Sequence, residues 1–372
     1  MSVTTFCNGR VFDGKRLHDL AAIRFEDGLA VALEPEAELA PEGRVVDLGG
    51  DILSPGYVDL QVNGGGGVML GDTPSVETLR RIAEAHRSLG VAALLPTLIT
   101  DTPETTRATI AAVRAAVAEG VPGIAGLHLE GPHLSLARKG AHDPALIRPM
   151  TAEDLDLLLD AAAALPVLKI TLAPENVTEA QVAALARAGV LVSLGHSDAD
   201  YETCQRYAAA GARVVTHLFN AMSQLGSRAP GLVGAALDTG ALSVGLIADG
   251  VHVHPASLRA AWAAKTGPGR MFLVSDAMAV AGTDLDGFEL GGRWITRRDG
   301  RLTLGDGTLA GADLDLTTAI RVLVKEARVP LETALQAATA VPAALIGRTV
   351  APLRLAETIR IRSDLSGVSW AG

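Results

Sequence analysis

From residue 57 onward the sequence alternates short apolar runs with segments of helical period, and this alternation restricts the fold more than any other feature. Runs of strand length lie at 57–62, 91–96, 124–129, 168–172, 191–194, 214–216, 242–248 and 271–275. Between several of them, at 76–89, 154–164, 179–188 and 256–265, apolar residues recur at amphipathic-helix spacing. Successive parallel strands require a crossover, and a helix supplies one. Eight such units over residues 55–348 predict an α/β fold, a (β/α)8 TIM-type barrel. Helices at 313–327 and 331–346 are expected to close it, and the Gly-rich alternating stretch at 286–309 to form a β-hairpin insert.

The two ends read differently. Residues 1–54 are short apolar pieces separated by Asn8-Gly9, Asp13-Gly14 and Asp27-Gly28, which are turn signals, and Ser54-Pro55-Gly56 punctuates their end. Residues 349–372 are strand-like again and are expected to rejoin the N-terminal part as a small discontinuous β-sandwich domain. No apolar run reaches the roughly 18–20 residues of a membrane span, and the first ten residues lack the basic-then-apolar pattern of a secretory signal. A cytoplasmic protein without a membrane partner is expected. Cys7 and Cys204 stand far apart, which suits buried small residues in a reducing compartment better than a disulfide framework. The formal charge of −10 argues against a nucleic-acid partner. Aromatic residues at 3% argue against extended binding surfaces of stacked rings. A small-molecule enzyme remains.

In a barrel of this type the chemistry lies at the C-terminal ends of the strands. Polar residues follow every predicted strand: Gln61-Val62-Asn63, Pro96-Thr97, His128-Leu129-Glu130, Ala173-Pro174-Glu175, Gly195-His196-Ser197, Thr216-His217, Asp249-Gly250-Val251-His252 and Ser275-Asp276. Glu130, His196 and His217, from the third, fifth and sixth strands, form a carboxylate and imidazole set suited to a divalent ion with one open position. Such an ion acidifies a bound water and polarises a carbonyl. Asp276, ending the eighth strand, is placed to accept a proton and deliver it to a leaving amine, the competing reading being a helix N-cap. Arg228 on a turn-rich loop, with Asn220, Ala221, His142 and His252, forms a candidate anion or sugar site. His128 is expected inside the barrel or behind the metal ligands. Lys169 is read as a surface or packing lysine away from the catalytic face, and His18, His86, His133 and His254 as exposed or loop residues.

The ordered series His128-Leu129-Glu130-Gly131-Pro132, Gly195-His196-Ser197, Thr216-His217-Leu218-Phe219-Asn220-Ala221-Met222, Asp249-Gly250-Val251-His252 and Ser275-Asp276-Ala277 closely resembles the N-acetylglucosamine-6-phosphate deacetylases of the amidohydrolase superfamily. The resemblance runs from Ser54 to Gly311. It implies a homodimer that hydrolyses a small phosphorylated amino sugar, N-acetylglucosamine 6-phosphate, to glucosamine 6-phosphate and acetate. It also implies one divalent metal ion per subunit, Zn2+ first, with Fe2+ and Co2+ as alternatives. Carried over to this chain, Glu130, His196 and His217 are the metal ligands, Asp276 the general acid/base, and His142 a catalytic contact near the substrate amide. Ala141, His142, Asn220, Ala221, Arg228, Asp249, His252, Leu309, Ala310 and Gly311 match substrate-contacting segments, with Arg228 and His252 on the phosphate near the dimer interface. At the first strand, Gln61 and Asn63 stand where many amidohydrolases carry the His-x-His pair of a second metal site, which implies a single-metal centre. The segment 351–357 diverges from the turn usual there. Rival readings are an amidohydrolase acting on another small N-acyl or cyclic amide substrate, and a non-catalytic metal-binding barrel.

Overall fold

The computed structural model describes residues 2–372. Eight parallel strands form one sheet in sequence order: β1 (Tyr57–Val62), β2 (Val91–Ile99), β3 (Leu127–Glu130), β4 (Leu168–Leu172), β5 (Leu191–Leu194), β6 (Val214–Val215), β7 (Ser243–Leu246) and β8 (Met271–Leu273). The circle closes just beyond the last strand. Asp276 N–H donates to the Gln61 carbonyl at 3.1 Å, Asn63 N–H donates to that of Ala277 at 2.9 Å, and Val62 and Ala277 form a parallel bridge. The α/β barrel expected from the alternation is present.

Helices separate the strands: α1 (Val76–Ser88), α2 (Pro103–Ala118), α3 (Ala152–Ala164), α4 (Glu179–Arg187), α5 (Tyr201–Ala210), α6 (Gly231–Asp238) and α7 (Pro255–Ala264). Several begin at the side chains the sequence supplies for capping. Thr151 with Asp154 and Thr178 with Gln181 form reciprocal capping boxes, each satisfying two otherwise unpaired backbone donors. The buried face of α1 carries Leu79, Ile82, Ala83 and His86, the periodicity that marked this helix in sequence. The expected helix at 331–346 is broken at Thr339, whose φ of −133° and ψ of −85° end one helix (Leu331–Ala338) and begin the next (Ala340–Leu345). The insert is a three-stranded antiparallel meander (Gly287–Leu290, Arg293–Arg298, Arg301–Thr303) rather than a two-stranded hairpin. Its own apolar cluster includes Phe288, Ile295 and Leu302 packed on Met278 and Val280 beyond β8.

Both chain ends meet in the smaller part of the molecule. A five-stranded sheet takes Arg10–Phe12, Leu17–His18 and Ile52–Pro55 from the N-terminal side, and Thr358–Ile361 and Val368–Trp370 from the C-terminal side. Thr358 pairs with Pro55 and Ile361 with Ile52 in antiparallel register. A four-stranded sheet of N-terminal strands lies beside it, with Phe6, Ile23 and Phe25 in the core between them. No helix among the described residues is long and apolar enough to cross a membrane.

Two residues lie elsewhere than the sequence suggests, and a third, His133, lies in a loop as expected but is not exposed. His86 is buried, its Nε2 3.0 Å from the Gly64 carbonyl. His133 is buried against the Arg148 carbonyl. Lys169 is neither at the surface nor in ordinary packing: it points into the barrel and is fully buried. Interior-facing residues alternate along each strand, and Lys169 shares that parity with Thr171. His128 lies inside as expected, between Thr97 Oγ1 at 3.1 Å and Thr171 Oγ1 at 2.8 Å.

Candidate active site and metal centre

Glu130 is the last residue of β3, and His196 and His217 each stand two residues past the ends of β5 and β6. Glu130 Oε1, His196 Nε2 and His217 Nε2 converge, separated by 3.1 Å between the imidazoles, 3.1 Å from His217 to Glu130 and 3.4 Å from His196 to Glu130. A tetrahedral ion with bonds of about 2.0–2.1 Å has ligand-to-ligand edges of about 3.3–3.4 Å. The three atoms therefore already form one face of such a tetrahedron, and the donor set fits a divalent metal. All three side chains are buried. Glu130, His142 and His196 also bring ligand atoms within 4.8 Å of one another. That second set is looser, since His142 Nε2 is 3.9 Å from Glu130 Oε2, so the His217 set carries the better coordination geometry.

The backbone is bent to achieve this. His196, His217 and Asp276 have φ of 47°, 26° and 50°, a left-handed region that disfavours side chains with a Cβ by on the order of 1 kcal/mol or more each. Such departures cluster where the surrounding structure holds them for a purpose. Gly195 makes room for the first of these bends: a Cβ there would lie 2.9 Å from both Thr171 Cγ2 on β4 and Thr216 Cβ just after β6. Outside the cavity, Glu175 holds the His196 turn by accepting from Ser197 Oγ at 2.8 Å and from Asp198 N–H at 2.6 Å. His196 Nδ1 lies 2.8 Å from the Arg138 carbonyl and donates to it, so Nε2 keeps its lone pair for a metal.

The electrostatics favour positive charge at the centre. Burial alone would raise the Glu130 pKa, but hydrogen bonds and charge from His196 and His217 outweigh it and hold the carboxyl well below its ordinary range. His217 is driven the opposite way: burial lowers it, and the Glu130 carboxylate more than reverses that. For Asp276, burial and the nearby Glu130 charge push the pKa above the ordinary carboxylate value, the direction that suits a carboxyl that takes up and returns a proton. Its Oδ1 accepts from Asn63 Nδ2 at 2.7 Å and Gln61 Nε2 at 3.1 Å, and the same Gln61 amide donates to Glu130 Oε1 at 3.0 Å. One carboxylate oxygen is thus committed and Oδ2 is free for proton transfer. No helix begins after Asp276, which removes the N-cap reading.

His142 faces the same space. Thr100 N–H donates to His142 Nδ1 at 3.3 Å, so that nitrogen is an acceptor and Nε2 bears the hydrogen. Burial and the neighbouring His196 depress its pKa to about 3, which makes it a neutral donor. His252 is oriented by Asp249, whose Oδ2 is 2.6 Å from Nδ1 and whose Oδ1 accepts from the backbone N–H groups of Val251 and His252.

These groups line a cavity of about 430 Å³. Asn63, Glu130, Ala141, His142, His196, His217, Asn220, Ala221, His252, Asp276, Leu309 and Gly311 share it, as the sequence suggests. Gln61 lies behind Asp276, Asp249 behind His252, and Ala310 is fully buried. Arg228 is exposed on the loop before α6, outside the lining of the cavity in its own chain. Gly140, Ile99, Ile247, Met278, Leu290, Gly307 and Thr308 complete the lining and were not anticipated as site residues. Leu290 and 307–311 belong to the insert and the segment after it, and Arg293 Nη2 ties the insert to the Ala141 carbonyl at 2.7 Å. Thr100 was also missed. Its signal was the apolar run, which continues through Leu98-Ile99 and puts Thr100 at the true end of β2.

Residues 52–352 match the amidohydrolase family. The chain belongs to that family. Among similar proteins is an N-acetylgalactosamine-6-phosphate deacetylase of Shewanella sp. (strain ANA-3), 43% identical over 91% of this chain and 86% of that one. An N-acetylglucosamine-6-phosphate deacetylase of Haemophilus influenzae is 36% identical over 89% and 86%. Among solved structures, an N-acetylglucosamine-6-phosphate deacetylase from Pasteurella multocida superposes with a TM-score of 0.91 at 32% identity, covering 100% of this chain and 98% of that one. The Mycobacterium smegmatis enzyme in complex with N-acetyl-D-glucosamine-6-phosphate gives 0.89 at 31% identity, covering 100% and 98%. This amidohydrolase is a hydrolase, and its barrel is that of the deacetylase structures.

Proposed function

We propose that this amidohydrolase is a single-metal deacetylase of N-acetylhexosamine 6-phosphates, with N-acetylglucosamine 6-phosphate as substrate and glucosamine 6-phosphate and acetate as products. The observation that carries this reading is the tetrahedral face of Glu130, His196 and His217 beside the half-committed carboxyl of Asp276, within one 430 Å³ cavity. The names of the relatives supply the substrate class. A divalent ion held by these three ligands, Zn2+ in this reading, supplies Lewis acidity, acidifying a water and polarising the acyl oxygen.

The chain's own residues do the rest. Asp276 takes a proton on Oδ2 from the water that attacks the acetyl carbon, while Gln61 and Asn63 fix Oδ1. His142 donates its Nε2 hydrogen to the acyl oxygen as negative charge gathers there. Asp276 then returns the proton to the nitrogen as the C–N bond breaks, which releases the amine and acetate. His252, locked by Asp249, presents its other nitrogen to the sugar or its phosphate. The loop that carries Leu225, 59% exposed, and Arg228 suits contact with a second copy of the chain, so that in a homodimer Arg228 serves the neighbouring cavity. Gln61 and Asn63 in place of histidines favour one ion over two.

The 43% relative favours a second reading, in which the 4-epimer, N-acetylgalactosamine 6-phosphate, is the better substrate. Acetate release from both 6-phosphates, with metal-loaded and chelator-treated protein, tests the proposal. Metal-dependent release from either supports it, and the ratio of kcat/KM values selects between the epimers. Absence of release from both by metal-replete protein refutes it.

A further inference from the structure

Residues 131–151 join β3 to α3, hold one short helical turn (Leu136–Arg138) and carry His142 to the cavity. A connection this long has little structure of its own, so a side chain held in working geometry on it needs anchors from elsewhere. Among the described residues, the stretch 139–143 is hydrogen-bonded beyond its own loop at two places. Thr100 holds His142 Nδ1, and Arg293 Nη2 donates to the Ala141 carbonyl at 2.7 Å. The other bonds are local, such as His142 N–H to the Lys139 carbonyl at 3.1 Å.

Arg293 arrives there through a tight hairpin. Gly291 and Gly292, with φ of 53° and 73°, join the insert strands Gly287–Leu290 and Arg293–Arg298. Positive φ at both central residues marks a two-residue turn of the kind that suits the strand twist and favours glycine. A Cβ at either position would meet nothing within 4 Å, so conformation and not space calls for glycine. Leu290 and Arg293 are direct antiparallel partners and so share one face of the hairpin. From that face Leu290 lines the cavity and Arg293 reaches the backbone beside His142. Ala141 packs against the same apolar cluster that holds Leu290. Among the described residues the Arg293 side chain bonds to Ala141 alone, so no carboxylate competes for the guanidinium. A cationic donor makes a shorter and stronger bond to a carbonyl than a neutral one does.

We propose that Arg293 is a positioning residue for the reaction: through the Ala141 carbonyl it fixes the segment that presents His142 Nε2–H to the acyl oxygen. This rests on the reading of His142 as the donor to that oxygen. The two anchors have different tasks. Thr100 holds one edge of the imidazole and leaves the ring free to pivot about that edge. The Arg293 bond fixes the backbone one residue earlier and removes the pivot. Misplacing a catalytic group by about 1 Å is enough to cost about 10²-fold in rate.

The test is a double-mutant cycle in kcat and KM on the better of the two N-acetylhexosamine 6-phosphates, with metal-loaded Arg293→Met, His142→Ala and the double variant. Arg293→Met should lower kcat about tenfold, with KM changed far less and metal content unchanged. Arg293 is exposed, so the thermal midpoint should stay at the wild-type value. In the His142→Ala background the same change should alter kcat by less than about twofold, because the group that Arg293 positions is gone. Arg293→Lys, which keeps a cationic donor, should fall between wild type and Arg293→Met. An equal drop in both backgrounds overturns the inference, as does a lysine variant no better than methionine. A kcat of Arg293→Met within about twofold of wild type overturns it too, whatever the KM. His142→Ala with wild-type kcat would refute the donor reading and this inference together. Loss of kcat in His142→Ala with an additive Arg293 effect refutes this inference alone.

Discussion

Replacement of His142 by Ala separates two roles that its position permits. Its Nδ1 is held by the Thr100 backbone N–H and sits 2.9 Å from the Thr100 hydroxyl, which leaves Nε2–H aimed into the cavity 3.9 Å from Glu130 Oε2. If this neutral donor stabilises charge on the acyl oxygen, its removal should lower kcat by about 10²–10³, or about 2.7–4 kcal/mol of transition-state stabilisation. KM should change far less, because the interaction strengthens only as charge develops. The Thr100 N–H would lose its acceptor at a cost of about 1–3 kcal/mol, within what a large domain tolerates. Metal content by elemental analysis should stay at the wild-type level. With a pKa near 3, His142 remains neutral from pH 5 to 9, so the wild-type pH–rate profile should contain no limb that this substitution removes. Parallel loss of metal would refute the reasoning and make His142 a ligand in the looser set with Glu130 and His196. A kcat within threefold of wild type would refute the donor role.

Asp276→Asn should retain metal, because the three ligands are elsewhere, yet lose nearly all turnover; substantial kcat in single-turnover assays would exclude proton transfer through this residue. Arg228→Ala should raise KM for the 6-phosphate substrate while leaving the slow hydrolysis of the unphosphorylated sugar unchanged, and equal effects on both would remove Arg228 from phosphate binding. Gly195→Ala forces a Cβ to within 2.9 Å of two β-branched side chains, Thr171 on β4 and Thr216 just after β6. It should cost about 1–3 kcal/mol in denaturant unfolding and weaken metal binding by displacing His196, whereas a neutral result would mean that the turn has slack. For His86, burial lowers the pKa from 6.5 to about 4. The unfolded chain therefore binds the proton first, and stability is full above pH 6.5 and declines as pH falls toward 4, by about 3 kcal/mol in all. His86→Gln should flatten that part of the stability curve, and an unchanged slope between pH 6.5 and 4 would assign the acid sensitivity elsewhere.

The barrel was legible because its signal is local. Apolar strand runs and helices of period 3.6 recur within windows of a few residues, and the capping threonines sit beside the turns they begin. Glu130, His196, His217 and Asp276 were legible for the same reason: each ends or closely follows an apolar run, and runs in a parallel barrel deliver their C-terminal ends to one rim. Even Thr100 was within reach, had β2 been extended through Ile99.

What the sequence could not reveal depends on barrel closure. Whether Lys169 lies at the surface or inside turns on which side of β4 faces inward, and its partner, the Leu60 carbonyl, is 109 residues away in sequence. The commitment of Asp276 Oδ1 to Gln61 and Asn63 likewise requires β1 and β8, the first and last strands, to meet. The exposed place of Arg228 and the arrival of the insert over the cavity are loop geometry, which no periodicity records. The residue types and their order along the chain singled out the candidate ligands. Tertiary structure set the 3.1–3.4 Å spacing among them, because such distances arise across space between strands remote in sequence.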